Sequence, residues 1–199
     1  DRAESLYRRT LLIREIALGP HHPEVALTLN DLAALLGATG AYDRAEPLLR
    51  RELQIQEAAL DPDHPDVATT LNNLGDVLRA TGAYDRAEPL YRRALRIQET
   101  ALNPAHPELA ASLGRLAALL DAVGRSEEAL ALWWRGVECA ERTRRLFGAA
   151  ATEARFATFL GTQAAGEHAA LSLALARSQD VAARRLALTA VLLQKGRAL

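Results

Sequence analysis

The chain has 199 residues, 49% of them hydrophobic and 25% charged, with a formal net charge of −1. That suffices for one sizeable core or a short solenoid, but no apolar run reaches the roughly 18–20 residues of a membrane-spanning helix. With no signal peptide and one cysteine, Cys139, the composition predicts a soluble cytoplasmic protein without a disulfide framework or a cysteine-rich zinc site.

Charge and aromatics are unevenly placed. Residues 1–139 hold 21 acids against 15 bases, and residues 140–199 hold 4 acids against 9 bases. All four Tyr precede residue 92, whereas Phe147, Phe156 and Phe159 lie in the later part. Both shifts place a boundary near residues 140–146. The later bases are scattered among Ala and Leu without a basic cluster, so neither nucleic acid nor membrane is expected as a partner. The chain contains no methionine and begins in mid-repeat, which predicts a piece of a longer protein.

Residues 1–18 read as one helix, with Leu6, Tyr7, Ile13, Ile16 and Ala17 recurring at three- and four-residue steps. They align with residues 43–60 and 85–102, so this is the second helix of a unit whose first helix is missing. Two-helix units follow at 23–60, 65–102 and 107–140. The words ATGAYDRAEPL at residues 38–48 and 80–90 are identical and 42 residues apart, and AVGRSEEALAL at 122–132 is a worn third copy.

In each unit a His-Pro pair opens the first helix: His22-Pro23, His64-Pro65 and His106-Pro107. Proline suits a first helical position because its absent N–H is not needed there. An acid follows (Glu24, Asp66, Glu108) and complements the helix dipole. The apolar stripes are Leu29, Leu32 and Leu36; Leu71, Leu74 and Leu78; Leu113, Leu116 and Leu120. Gly40, Gly82 and Gly124 close these helices in the left-handed conformation. The second helix opens on a capping-box pattern, Asp43/Glu46 and Asp85/Glu88, with Pro47 and Pro89 predicting a delayed start or a bend in the first turn. Small Ala45, Ala87 and Ala129 allow close approach, and Leu49, Tyr91 and Trp133 fill the space one turn on. A 42-residue pair cannot bury its own stripe, but stacked pairs can.

Leu71, Leu74, Gly75, Leu78, Gly82, Tyr84, Ala87, Tyr91 and Ala94 match the tetratricopeptide-repeat (TPR) consensus in order and spacing. The 42-residue period and the words LNNLGDVL, YDRAEPLYRRALRIQE and HPDVATTLNNL resemble the kinesin-light-chain-like subclass. The resemblance covers residues 1–140 and implies an all-α, right-handed TPR solenoid of antiparallel helix pairs. Glu52 and Gly136 depart from it, standing where the pattern has a small alanine. The third unit is also altered, with Ser126 for Tyr42 and Tyr84, and Gly114 for Asn30 and Asn72. Residues 141–199 read as a helical extension. Their words EHAALSLALA and AARRLALTAVLLQKGRAL resemble the segment preceding the caspase-like CHAT domain of bacterial TPR–CHAT proteins.

Several constellations could carry chemistry. His22, His64 and His106 form a ladder of candidate ligands, but successive repeats are about 10 Å apart, too far for two imidazoles to share a metal. They read as turn residues. Cys139 falls where Ile13, Ile55 and Ile97 sit, so it reads as a core thiol and not a nucleophile. Arg8-Arg9, Arg50-Arg51 and Arg92-Arg93 make a stripe open to an anionic partner. Glu4, Glu46 and Glu88, four residues before Arg8, Arg50 and Arg92, favour a self-neutralised face instead. Trp134 stands at a nominally exposed position, predicted to be covered by the 141–199 helices; the other reading is a partner-binding aromatic.

The resemblance places ligands along the first helices, on the concave face. The candidate groove is Asn30, Ala34, Thr69, Asn72, Asn73, Asp76, Arg79, Arg115 and Asp121. Asn side chains suit an extended peptide because one amide both donates and accepts toward a backbone. No catalytic residue, metal or cofactor is expected. The predicted function is a non-catalytic protein- or peptide-binding scaffold, the regulatory TPR part of a larger TPR–CHAT protein with a caspase-like domain in cis. A stand-alone adaptor or multimerisation module is the alternative.

Overall fold

A computed structural model describes residues 2–147. They form seven helices and no strand: α1 (Arg2–Leu18), α2 (Pro23–Ala38), α3 (Tyr42–Ala59), α4 (Pro65–Ala80), α5 (Tyr84–Ala101), α6 (Pro107–Ala122) and α7 (Ser126–Phe147). The extension expected over residues 141–199 lies, beyond the end of α7, outside the described residues. The chain divides into two compact units, one ending at Asn103 and one beginning at Pro104.

The local signals act as their chemistry requires, with one refinement. His22, His64 and His106 are N-caps: each Nδ1 accepts the backbone N–H two residues on, from Glu24, Asp66 and Glu108, at 3.2, 3.2 and 3.3 Å. The imidazole thus does the work usually left to Ser or Asp. Gly40, Gly82 and Gly124 have φ of 77°, 78° and 82°. The following N–H bonds back five residues to close a Schellman turn, as in Ala41 N to Leu36 O at 2.9 Å and Ala83 N to Leu78 O at 2.8 Å.

The capping boxes do not form. α3 and α5 begin at Tyr42 and Tyr84, with Ala41 and Ala83 at the N-cap and no side-chain cap bond. Asp43 and Asp85 remain in the first turn, where they still complement the dipole, and the helices run on through Pro47 and Pro89. Glu46 is drawn away by Arg50, at 2.9 Å, and by Arg86. Two charged donors outcompete one backbone N–H.

In the first unit, α2 pairs with α3, α4 pairs with α5, and α3 packs on α4. The apolar core is one arrangement made twice. Val25, Ala26, Leu29 and Ile55 cluster with Leu11 and Leu48 against them. Forty-two residues on, Val67, Ala68, Leu71 and Ile97 cluster with Leu53 and Leu90, joined by Ala94. Each first helix is therefore gripped by the Ile of its own partner and by a Leu from the preceding second helix. Polar staples repeat the offset. Arg44 reaches Glu4 and Arg86 reaches Glu46; Arg51 reaches Glu15 and Arg93 reaches Glu57. Arg51 and Arg93 also donate to the carbonyls of Pro20 and Pro62 at 3.0 and 3.2 Å. With Arg8–Glu4, Arg50–Glu46 and Arg92–Glu88 inside the helices, the arginine stripe is self-neutralised.

α1 forms where the sequence places a helix, but most of its apolar stripe is uncovered. Its contact with α2 runs through Leu11 and through Arg14, which bonds Thr28 Oγ1 at 2.7 Å and the Glu24 carbonyl at 3.0 Å. Leu6 and Ile13 are each 55% exposed and Ile16 is 77% exposed. Ile55 and Ile97 are covered by the first helix of their own pair, a neighbour α1 does not have among the described residues.

In the second unit α6 pairs with α7. Gly136 faces the Ala110 carbonyl and Leu113 Cβ, and a Cβ added there would lie 3.7 Å from each, an ordinary contact. Cys139 is buried and donates weakly to the His106 carbonyl at 3.4 Å. Burial pushes its thiol up. This is the environment of an inert core thiol.

Candidate partner-binding face

The exposed positions of α2 and α4 recur at helical spacing and form one face on each helix. On α2 these are Leu27, Asp31 and Ala34, with Asn30 half-buried; on α4 they are Thr69 and Arg79, with Asn73 and Asp76 half-buried. One bond ties the two helices across this face: Asn73 Nδ2 donates to Asn30 Oδ1 at 3.0 Å. An amide-to-amide bond uses one donor and one acceptor and leaves each amide's other end for further partners. Thr69 donates to the Pro65 carbonyl at 3.3 Å, so its hydroxyl oxygen can accept.

Toward the C-terminal end of α4 the face is built from below. Tyr91 of α5 is fully buried and its phenol donates to Asp76 Oδ1 at 2.6 Å. Burial, then the Asp76 charge, pushes the phenol well above its ordinary range, so it stays protonated. It holds the carboxylate in place beneath exposed Arg79, which also bonds the phenol. The sequence carried a signal for this constellation. The triplets at matching positions are Ala33, Ala34, Leu49; Gly75, Asp76, Tyr91; and Ala117, Ala118, Trp133. Asp appears only where Tyr can donate to it.

The predicted residues are not all alike. Asn30, Ala34, Thr69, Asn73, Asp76 and Arg79 share this face in the first unit. Asn72 is 4% exposed and turned into the packing, so its side chain does not present itself to a ligand. Arg115 and Asp121 belong to α6 of the second unit, where Asp121 accepts from Ser126 Oγ at 3.1 Å. Trp134 is 42% exposed; the 141–199 segment expected to cover it lies outside the described residues beyond α7. Sequence reasoning missed a buried polar cluster of Glu52, Gln56 and Thr70 between α3 and α4. Its only sequence signal was Glu52 in place of a small alanine.

Chemically, the face offers amides, a hydroxyl, a carboxylate and a guanidinium beside exposed Leu27. These groups recognise and hold. Among the described residues no three His, Cys, Asp or Glu side chains gather as a metal site would require, and no helix is long and apolar enough to cross a membrane.

A profile described as "Tetratricopeptide repeat" matches residues 1–58, 38–100 and 66–133. The chain belongs to the tetratricopeptide-repeat family. Among solved structures, the TPR chain resembles the nearly identical TPR-like repeats of a putative kinesin light chain from Podospora anserina. That likeness has 22% identity and a TM-score of 0.69, and it covers 99% of this chain and 88% of the other. It also resembles BtubC (BKLC) from P. vanneervenii, with 26% identity and a TM-score of 0.66 over 72% of this chain and 57% of that one. The apo form of RapI shares the fold, with 17% identity and a TM-score of 0.63 over 81% and 61% of the two chains. No curated protein matches the TPR chain.

Proposed function

We propose that this TPR chain is a non-catalytic scaffold that binds a protein or an extended peptide along α2 and α4. The observation that carries this reading is the Asn73–Asn30 bond, which bridges two helices while leaving an amide donor and an amide acceptor at the surface. Leu27, 56% exposed, supplies an apolar contact at one end, and Arg79 a cation at the other. The occupant is a peptide with an apolar side chain near one end, an acidic group near the other and a free backbone between them. Asn30→Ala with Arg79→Ala removes one polar contact from each end. At about 1–1.5 kcal/mol for each, peptide affinity should fall roughly 30- to 150-fold, with helicity unchanged and only a small drop in melting from loss of the Asn73–Asn30 bond. Titration calorimetry against a peptide array of this pattern measures it; undiminished binding by the folded double variant places the site elsewhere.

The wider setting we propose is the cytoplasmic, regulatory part of a bacterial TPR–CHAT protein, with a caspase-like domain in cis as a further partner. The support is the wording of residues 141–199 and their switch to net positive charge. The coding sequence past Leu199 tests it. A His and a Cys in strand-ending contexts support the proposal. A stop codon or further repeats overturn it in favour of an adaptor.

A further inference from the structure

Position 52 breaks the repeat. At steps of 42 its counterparts are Thr10, Ala94 and Gly136. Ala94 belongs to an apolar core cluster, and Gly136 faces the Ala110 carbonyl and Leu113 of α6. At the same place on α3 stands Glu52, 3% exposed.

The hydrogen count around Glu52 does not close for a carboxylate. Thr70 Oγ1, from α4, lies 2.8 Å from Glu52 Oε1 and 2.7 Å from Gln56 Oε1. A hydroxyl has one proton, and two oxygen–oxygen contacts of this length need two. Gln56 Nε2 donates to Glu52 Oε1 at 3.2 Å and completes a triangle. Turning the Gln56 amide over only moves the deficit, because its oxygen would then face Glu52 Oε1. In both orientations the missing donor is a proton on Glu52. Its other oxygen, Oε2, is buried without a hydrogen-bond partner. That is tolerable for a neutral acid and costly for an anion.

The surrounding charges agree. On α2 the charge acting on Glu52 is Asp31, which is like in sign. On α4 the facing group is the Thr70 hydroxyl. The charged residues of that helix lie elsewhere: Asp66 in its exposed first turn, Asp76 under the Tyr91 phenol, Arg79 at the surface. On α3 itself, Arg51 is held by Glu15 and the Pro20 carbonyl.

We propose that Glu52 is a proton-binding site, a carboxylic acid that closes a ring with Thr70 and Gln56, locks α3 to α4, and loosens that joint when it ionises. Burial pushes the carboxyl up to about 7; the Thr70 bond works against this and the Asp31 charge with it. The proton on Oε1 passes a hydrogen bond to Thr70, Thr70 passes one to Gln56, and Gln56 returns one to Oε1. Loss of that proton opens the ring and leaves a buried anion facing the like charge of Asp31. α4 also carries the Asn73 end of the Asn73–Asn30 bond to α2, so loosening α4 from α3 would disturb the two halves of the proposed face. That consequence rests on the binding role proposed above, whereas the proton site does not.

The sign follows from linkage. An opened joint exposes Glu52 to water, where it titrates near 4.5. Below that pH both states hold the proton. From 4.5 to about 7 only the closed joint holds it, so stability drops as pH rises, and above 7 the penalty is constant. A shift of this size makes opening roughly 150-fold more frequent at pH 8 than at pH 4.5. Two measurements on the full 199-residue chain test this. The Glu52 carboxyl carbon, followed by NMR, should titrate with a midpoint near 7; a midpoint in the ordinary carboxylate range overturns the proposal, whether or not any partner binds. Amide-exchange protection in α3 and α4, corrected for intrinsic rates, should fall with pH in the native chain and stay level in Glu52→Gln. Parallel profiles for the two proteins also overturn it.

Discussion

Adding one methyl group at Gly75 tests the packing of α4 on α5. An alanine Cβ there would lie 2.6 Å from Tyr91 Cε1 and 2.9 Å from Cδ1 and Cζ. Carbon atoms prefer about 3.5–4.0 Å, so the ring would have to withdraw by roughly 1 Å. It has little room, being fully buried and tied by its phenol to Asp76. Overpacking of this kind costs about 1–3 kcal/mol, and the better helix propensity of alanine returns up to about 1 kcal/mol. Gly75→Ala should therefore destabilise by about 1–2 kcal/mol. Tyr91→Leu alone should leave a hollow and cost about 2–4 kcal/mol. Together they recreate Ala33 with Leu49, the pair at the matching positions of α2 and α3, each 2% exposed. The double variant should then be more stable than the sum of the singles by about 1–2 kcal/mol. Guanidinium unfolding followed by far-UV circular dichroism on the four proteins gives the coupling. Additivity within about 0.5 kcal/mol would show that glycine and tyrosine are not filling each other's space.

Two smaller perturbations address the local devices. His64→Ala removes the Nδ1 acceptor from the N-terminus of α4 and should cost about 1 kcal/mol in thermal unfolding, with His64→Asn restoring most of it; equal loss in both would rule out a capping role. Arg51→Gln removes the reach to Glu15 and the bond to the Pro20 carbonyl. It should destabilise by about 1 kcal/mol or less, with the difference from the native chain shrinking in 1 M salt; a salt-independent difference would assign the effect to packing.

Helix boundaries were legible because their causes are local. A His-Pro pair, an acid in the first turn and a glycine at positive φ act within a few residues of themselves. The core faces of α2, α4 and α6 were legible for the same reason, since a 3.6-residue period puts Leu71, Leu74 and Leu78 on one side whatever lies there. The exposure of the α1 stripe was not legible, because a periodic stripe says which residues could be buried together and not whether a neighbour covers them. The capping boxes failed for a related reason. Glu46 had a local use in the sequence, but Arg86 became available only once α5 lay beside α3.

The polar pairing across α2 and α4 was half legible. Asn72 and Asn73 are neighbours in sequence and differ by about 100° around α4, which turns one inward and the other toward Asn30. Repeat position narrowed the choice to these two, and the crossing of α2 and α4 made it. The sequence by itself determined the repeating unit, its 42-residue period, the helix ends and the residues that fill each pair, because turn chemistry and hydrophobic periodicity are short-range. Only the tertiary structure decided which polar groups meet: Asn73 with Asn30, Tyr91 with Asp76, and Thr70 with the carboxyl of Glu52. Those pairs are 43, 15 and 18 residues apart, and whether a polar side chain finds a donor, an anion or water at that distance depends on how helices cross, which no local pattern encodes.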